Sequence, residues 1–176
     1  MLGRHVAHLA VRIQLTRLGA TCNILGHMSS TREAHTLLLV HDTKQIHAGI
    51  GITEPLQRPD VTVEACVGRR GADGPYIVGE ALMQAVTQGE AVDIIYPITD
   101  GDVSNWDALE ALWYHVLHDK LGVRPGNNAY YIMLALPSPV SRDVYEQGAK
   151  ILFEKFNSPA ITISEVPLLS AYALSL

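Results

Sequence analysis

The stretch Leu-Leu-Leu-Val-His-Asp-Thr-Lys-Gln-Ile-His-Ala-Gly-Ile-Gly, residues 37–51, sets polar side chains between two apolar runs and so could meet an anion. A hairpin that holds phosphate turns backbone N–H groups toward it, which usually takes Gly, Ser or Thr in the turn. Here the turn is Asp42-Thr43-Lys44, with no glycine before Gly49. A second group is His115, His118 and Asp119. Histidines at i and i+3 share a helix face and could begin a metal site, yet no third and fourth ligand follows, so the reading is solvated helix surface. A nucleophile needs a partner base and an exposed position. The chain has no Gly-x-Ser-x-Gly, and Cys66 sits in an apolar run as a small buried hydrophobe. Cys22 and Cys66 stand 44 positions apart without Cys-x-x-Cys spacing, which reads as two free thiols of a reducing compartment. Arg69-Arg70 before Gly71 reads as a solvated loop.

Charge narrows the classes of function. Residues 1–32 carry Arg4, Arg12, Arg17 and Arg32 and no acid, whereas residues 33–176 hold 9 basic against 18 acidic side chains. An acidic body with no Lys/Arg cluster larger than Arg69-Arg70 argues against direct nucleic-acid binding, whose affinity comes mostly from phosphate contacts. No run of 18 apolar residues is present to cross a membrane. At 176 residues and 48% apolar, the chain can bury the core of one domain. The acid-free opening is mildly amphipathic. It reads as a transit-peptide-like segment, a plain extension, or a start upstream of a true first residue at Met28. Residues 1–30 are expected outside the fold and residues 31–176 within it.

The elements that must position these groups follow from periodicity. Leu37–Val40 and the alternating Ile46, Ala48, Ile50 and Ile52 predict a hairpin. Val61, Val63 and Ala65 predict a third strand ended by Gly68, with residues 71–79 as a loop. A short helix over 80–88, an extended segment over 91–98 and a turn at Asp100-Gly101 come next. Trp106, Leu109, Trp113, Val116 and Leu117 make one apolar helix face, with Ser104 and Asp107 as its capping box and Gly122 as its stop. Tyr130–Leu136 predicts a strand buried in mid-sheet. A helix over 141–156, a short strand and a last helix over 165–174 complete the order β-β-β-α-β-α-β-α. That order predicts an α/β mixed sheet covered on both faces.

Two long segments resemble the actin and actin-related protein family. Residues 96–123, YPITDGDVSNWDALEALWYHVLHDKLGV, are similar to its Tyr-Pro segment and the Asn-Trp-Asp that opens a long helix. Residues 151–174, ILFEKFNSPAITISEVPLLSAYAL, resemble its Phe-Glu-x-Phe-Asn-x-Pro and Leu-Ser-x-Tyr-Ala. The resemblance covers residues 36–173 and implies the first half of the actin-like, RNase H-like fold: subdomain 1 with a much reduced subdomain 2. In that fold two halves clasp ATP and a divalent cation between paired hairpins.

An ungapped alignment sets the hairpin on the family's first phosphate loop. Val40 then takes the Asp position, Asp42 and Lys44 replace two glycines, and Thr43 replaces a Ser. Side chains stand where backbone must approach an anion, and Lys44 is a flexible point charge in exchange for oriented N–H groups. If nucleotide is kept, the resemblance makes Asp42, Thr43, Lys44 and His47 the phosphate contacts. The family's water-positioning Gln falls on Val166. Its neighbour Glu165 faces elsewhere, one residue being about 100° of helix rotation. Only GADGP remains of the insert that reaches the next subunit in a filament.

These departures imply a divergent actin-related protein that is no enzyme: no catalytic residue, no metal site and no cofactor. It would be a structural or assembly subunit of a cytoskeletal or chromatin-remodelling complex. Its expected partners are proteins, including actin or other actin-related proteins, with neither nucleic acid nor membrane. The expected location is the cytoplasmic cytoskeleton, or alternatively the nucleus. The competing expectation is a polymer-forming, ATP- and Mg-binding actin-like protein.

Overall fold

In this computed structural model residues 35–42, 44–51, 58–137 and 140–173 are described. The expected N-terminal extension, residues 1–30, lies outside them. Strand β1, Thr36–His41, is buried along its whole length because both its faces are covered. It pairs antiparallel with β2, Gln45–Ile50, which pairs antiparallel with β3, Val61–Glu64. On its other side β1 runs parallel to β9, Tyr131–Leu136, and β9 runs parallel to β10, Ile161–Glu165. The main sheet is thus β10-β9-β1-β2-β3, with the apolar strand β9 internal as its composition predicts.

Strand alternation divides the side chains between two faces. Leu37, Leu39, Ile46, Ala48, Ile132, Leu134 and Leu136 form the larger core with helices α2, Trp106–Tyr114, and α3, Arg142–Glu154. Val144, Gly148, Ile151 and Leu152 are the buried stripe of α3, as their spacing predicts. Leu38, Val40, Met133 and Ala135 face the other way and pack under Leu169 and Val166 of helix α4, Val166–Ala173.

Three local expectations are corrected. The third strand is two: β3 ends at Glu64, and β4, Val67–Arg69, joins a separate sheet β5-β4-β6. Cys66 lies buried at the break, its thiol pushed up by burial and then by Glu64. The loop expected over 71–79 contains β5, Tyr76–Val78, and β6 is Asp93–Ile95. Helix α1, Glu80–Thr87, lies directly on this small sheet. A Cβ at Gly68 would overlap the side chains of Leu82 and Val92, so a larger residue there would have to push them aside. The cap of α2 is Asn105, whose Oδ1 accepts from the Ala108 N–H at 3.0 Å. Ser104 instead donates to the carbonyls of Tyr96 and Pro97.

Asp100-Gly101 closes the hairpin of β7, Ile98–Thr99, and β8, Asp102–Val103. Both turn residues have positive φ, 53° and 86°, which is the backbone that an Asp-Gly pair favours. Beyond α2 the helix widens into a π-helical stretch, His115–Lys120, in which the Leu121 N–H reaches back five residues to Val116.

Candidate functional site

The hairpin turn uses its own backbone groups. The Asp42 N–H donates to the Gln45 carbonyl at 2.8 Å, and the Lys44 carbonyl accepts from the Ala65 N–H at 2.9 Å. Asp42 and Lys44 are exposed, whereas Thr43 lies outside the described residues. His47 is buried in β2, opposite Val40, with its Nδ1 3.1 Å from Thr62 Oγ1 on β3. The three described candidates are not drawn together: Asp42 and Lys44 stand at the turn, while the His47 ring is held on the sheet.

Val40 is 5% exposed and belongs with Met133, Ala135 and Leu169 to one apolar cluster, against which Val166 packs. Both positions are where the resemblance expects an acid and an amide, and here they hold hydrocarbon against hydrocarbon. Glu165 ends β10 instead of opening the last helix as expected, so helix rotation does not set its direction. Its Oε1 accepts from the Val140 N–H at 3.0 Å, ahead of α3.

Off the carboxyl ends of β1 and β9 lies a cavity of about 140 Å³, lined in part by His41, Asp42, Asp100 and Pro137. Crevices at the carboxyl ends of parallel strands are common ligand sites in α/β folds. His41 is fully buried, and burial pushes its pKa down to about 3. Its Nε2 accepts from the Trp113 indole N–H at 2.7 Å, which assigns the single ring proton to Nδ1. Among the described residues no Lys or Arg lines this cavity, and its two carboxylates oppose an anion.

The second polar group, on the π-helical stretch, is only partly the solvated surface the sequence suggests. His115 Nδ1 and His118 Nδ1 both contact Asp119, at 3.0 and 2.8 Å. The Asp119 carboxyl is held below its usual range, first by the hydrogen bond from His118 and also by that from His115. The His115 side chain is 16% exposed, and its Nε2 is buried without a hydrogen-bond partner. It lies against Gly79, where a Cβ would stand 2.5 Å from Nε2. The π-helical stretch keeps Val116 and Leu117 buried, on the apolar face their spacing predicts. Among the described residues no group of three His, Cys, Asp or Glu side chains could hold a metal ion.

The His41–Trp113 hydrogen bond was invisible to sequence reasoning. The partners lie 72 residues apart, and only the apolar face of α2 marked Trp113 as core.

Comparison with known proteins gives two findings. The family model described as Actin matches residues 46–176, beginning inside β2 and so after Val40, Asp42, Thr43 and Lys44. The chain is also similar to actin-like protein 7B of Mus musculus, with 26% identity over 122 residues. That match covers 66% of this chain and 29% of the relative, so the chain spans less than a third of that relative's length.

Proposed function

Because this chain belongs to the actin family, we propose that it serves as a non-catalytic structural subunit of a protein assembly and neither holds nor hydrolyses ATP. The observation that carries the reading is the apolar packing of Val40 and Val166 in one cluster. Phosphoryl transfer depends on positioned charge, metal and water, and two valines can orient none of them. The surrounding groups point the same way. The Asp42 N–H is spent on the turn, His47 is bonded to Thr62, and the neighbouring cavity carries Asp42 and Asp100. These residues do not fit a triphosphate with its divalent cation.

What remains is a net-acidic α/β body. Its charge suits basic helical segments of protein partners, including other members of the family, because complementary charge favours encounter and register. A cytoskeletal assembly in the cytoplasm is the role we assign, with a nuclear chromatin-remodelling assembly as the alternative.

The test is isothermal titration of the full chain with ATP and Mg²⁺, beside size-exclusion chromatography of the same sample. A folded protein giving no heat up to millimolar nucleotide supports the subunit role. Micromolar binding overturns it in favour of a nucleotide-dependent polymer.

A further inference from the structure

Strand β10 is an edge of the main sheet, and its outer side has no neighbouring strand among the described residues. The Ile132 N–H donates to the Ala160 carbonyl at 3.0 Å, which fixes the alternation along the strand. Residues 160, 162 and 164 turn their backbone groups to β9, so Ile161 and Ile163 turn theirs outward. The run Ile161-Thr162-Ile163-Ser164 carries neither charge nor proline, the usual devices that keep an edge strand from pairing. The opposite edge has such protection: β3 follows Asp60 and ends on Glu64, both exposed.

Helix α3 lies above this edge. A Cβ on Gly148 would stand 3.6 Å from Ile163 Cδ1, 3.8 Å from Leu134 Cδ2 and 3.9 Å from the Trp113 ring, so the helix runs between β9 and β10 with α2 on its inner side. Crossovers between parallel strands are right-handed. With α3 antiparallel to its two strands, that hand places Tyr145, Ala149 and Phe153 on the flank away from α2, above the free edge. Tyr145 is 46% exposed and Phe153 45%, and the half-buried Ala149 stands midway between them in the chain.

These features are self-complementary. A two-fold axis through Ile163, normal to the sheet, sets Ile163 against Ile163 of a second copy in a pair that exchanges two backbone hydrogen bonds. Strands about 4.8 Å apart then hold the two α3 helices, each between its own pair of strands, about two strand spacings apart, within the roughly 8–10 Å of packed helices. Because Gly148 sits over Ile163, the same axis brings Ala149 to Ala149 and, with the helices antiparallel, Tyr145 to Phe153. The closest approach falls on the smallest residue of the ridge, and an aromatic pair closes each side.

We propose that two copies of this chain associate through their β10 edges into one continuous sheet, with the α3 helices packed antiparallel along Tyr145, Ala149 and Phe153. A few strand residues and two half-exposed aromatics per copy make a small interface, so a micromolar dissociation constant is expected.

The experiment is sedimentation equilibrium of the full chain from micromolar to submillimolar concentration, with Ala149→Glu and Thr162→Lys beside the wild type. Like charges at the axis, or a lysine on the edge strand, should raise the dissociation constant about tenfold or more. Hydrogen exchange of the wild type, followed by NMR, gives a reading that does not depend on a variant's folding. The Ile163 amide should exchange more slowly as concentration rises, while exchange over β3, the other edge, stays the same. A chain that remains monomeric throughout overturns the proposal and leaves the edge to a different protein. A dimer whose Ile163 amide exchanges as fast as in the monomer also overturns it, because that dimer is built on another surface. Equal association of the wild type and both variants has the same meaning.

Discussion

The Trp113 indole N–H donates to His41 Nε2 at 2.7 Å, joining the end of β1 to the last turn of α2 through two fully buried rings. Each ring satisfies a polar atom of the other beside a core that is otherwise apolar. A buried acceptor left unpaired costs more than the bond itself contributes. Trp113→Phe is therefore expected to lose about 1–3 kcal/mol, seen as a lower urea midpoint at unchanged slope. Adding His41→Leu should cost less than the sum of the two single changes, because the orphaned acceptor is then gone. Strict additivity would count against the bond.

Burial also makes His41 a source of acid sensitivity. Its folded pKa is about 3 against 6.5 unperturbed, so between those values the unfolded chain binds more protons. Stability then rises with pH across that window: it is full above 6.5 and falls as pH drops toward 3, by about 1.4 kcal/mol per unit. Glu80 and Asp119, whose pKa values are held low by Lys120 and by His118, act in the same direction but only within the carboxylate range. Urea titrations from pH 7 to 5 should show the slope in wild type and a flatter line in His41→Leu.

Gly79, at the start of α1, has φ of 61°, and a Cβ there would stand 2.5 Å from His115 Nε2. Backbone strain and overlap both oppose any side chain. Gly79→Ala is expected to cost about 2–4 kcal/mol. Gly126→Ala, with nothing within 4 Å, should stay within about 0.5 kcal/mol. Similar thermal midpoints for the two variants would mean that His115 moves aside freely.

Val40→Asp restores the carboxylate that the resemblance expects, but in an apolar cluster under α4. Burying it there should cost at least about 3 kcal/mol at neutral pH. A midpoint unchanged in thermal denaturation would show that this face is wet, and would reopen the nucleotide reading.

Much of this architecture was legible because its signals are local. Alternation after Gln45, the apolar run of β9, the stripe of α3 and the Asp-Gly turn each state their own geometry within a few residues. The break at Cys66 was not legible: Val61, Val63 and Ala65 read as one strand running on to Gly68, and two sheets divide that stretch between them. The caps show the same limit. Ser104 and Asn105 are both good N-caps, and the Pro97 carbonyl, brought near by the β7–β8 hairpin, occupies the serine hydroxyl.

Sequence by itself determined the family, the order of elements and the loss of glycines from the hairpin turn, because composition and short-range periodicity carry these. Tertiary structure alone decided that Val40 and Val166 share one apolar cluster, that His47 is tied to Thr62, and that His41 finds Trp113 across 72 residues. Burial and pairing are properties of which elements meet. Residues far apart in the chain are brought together only when sheet and helices close on a common core.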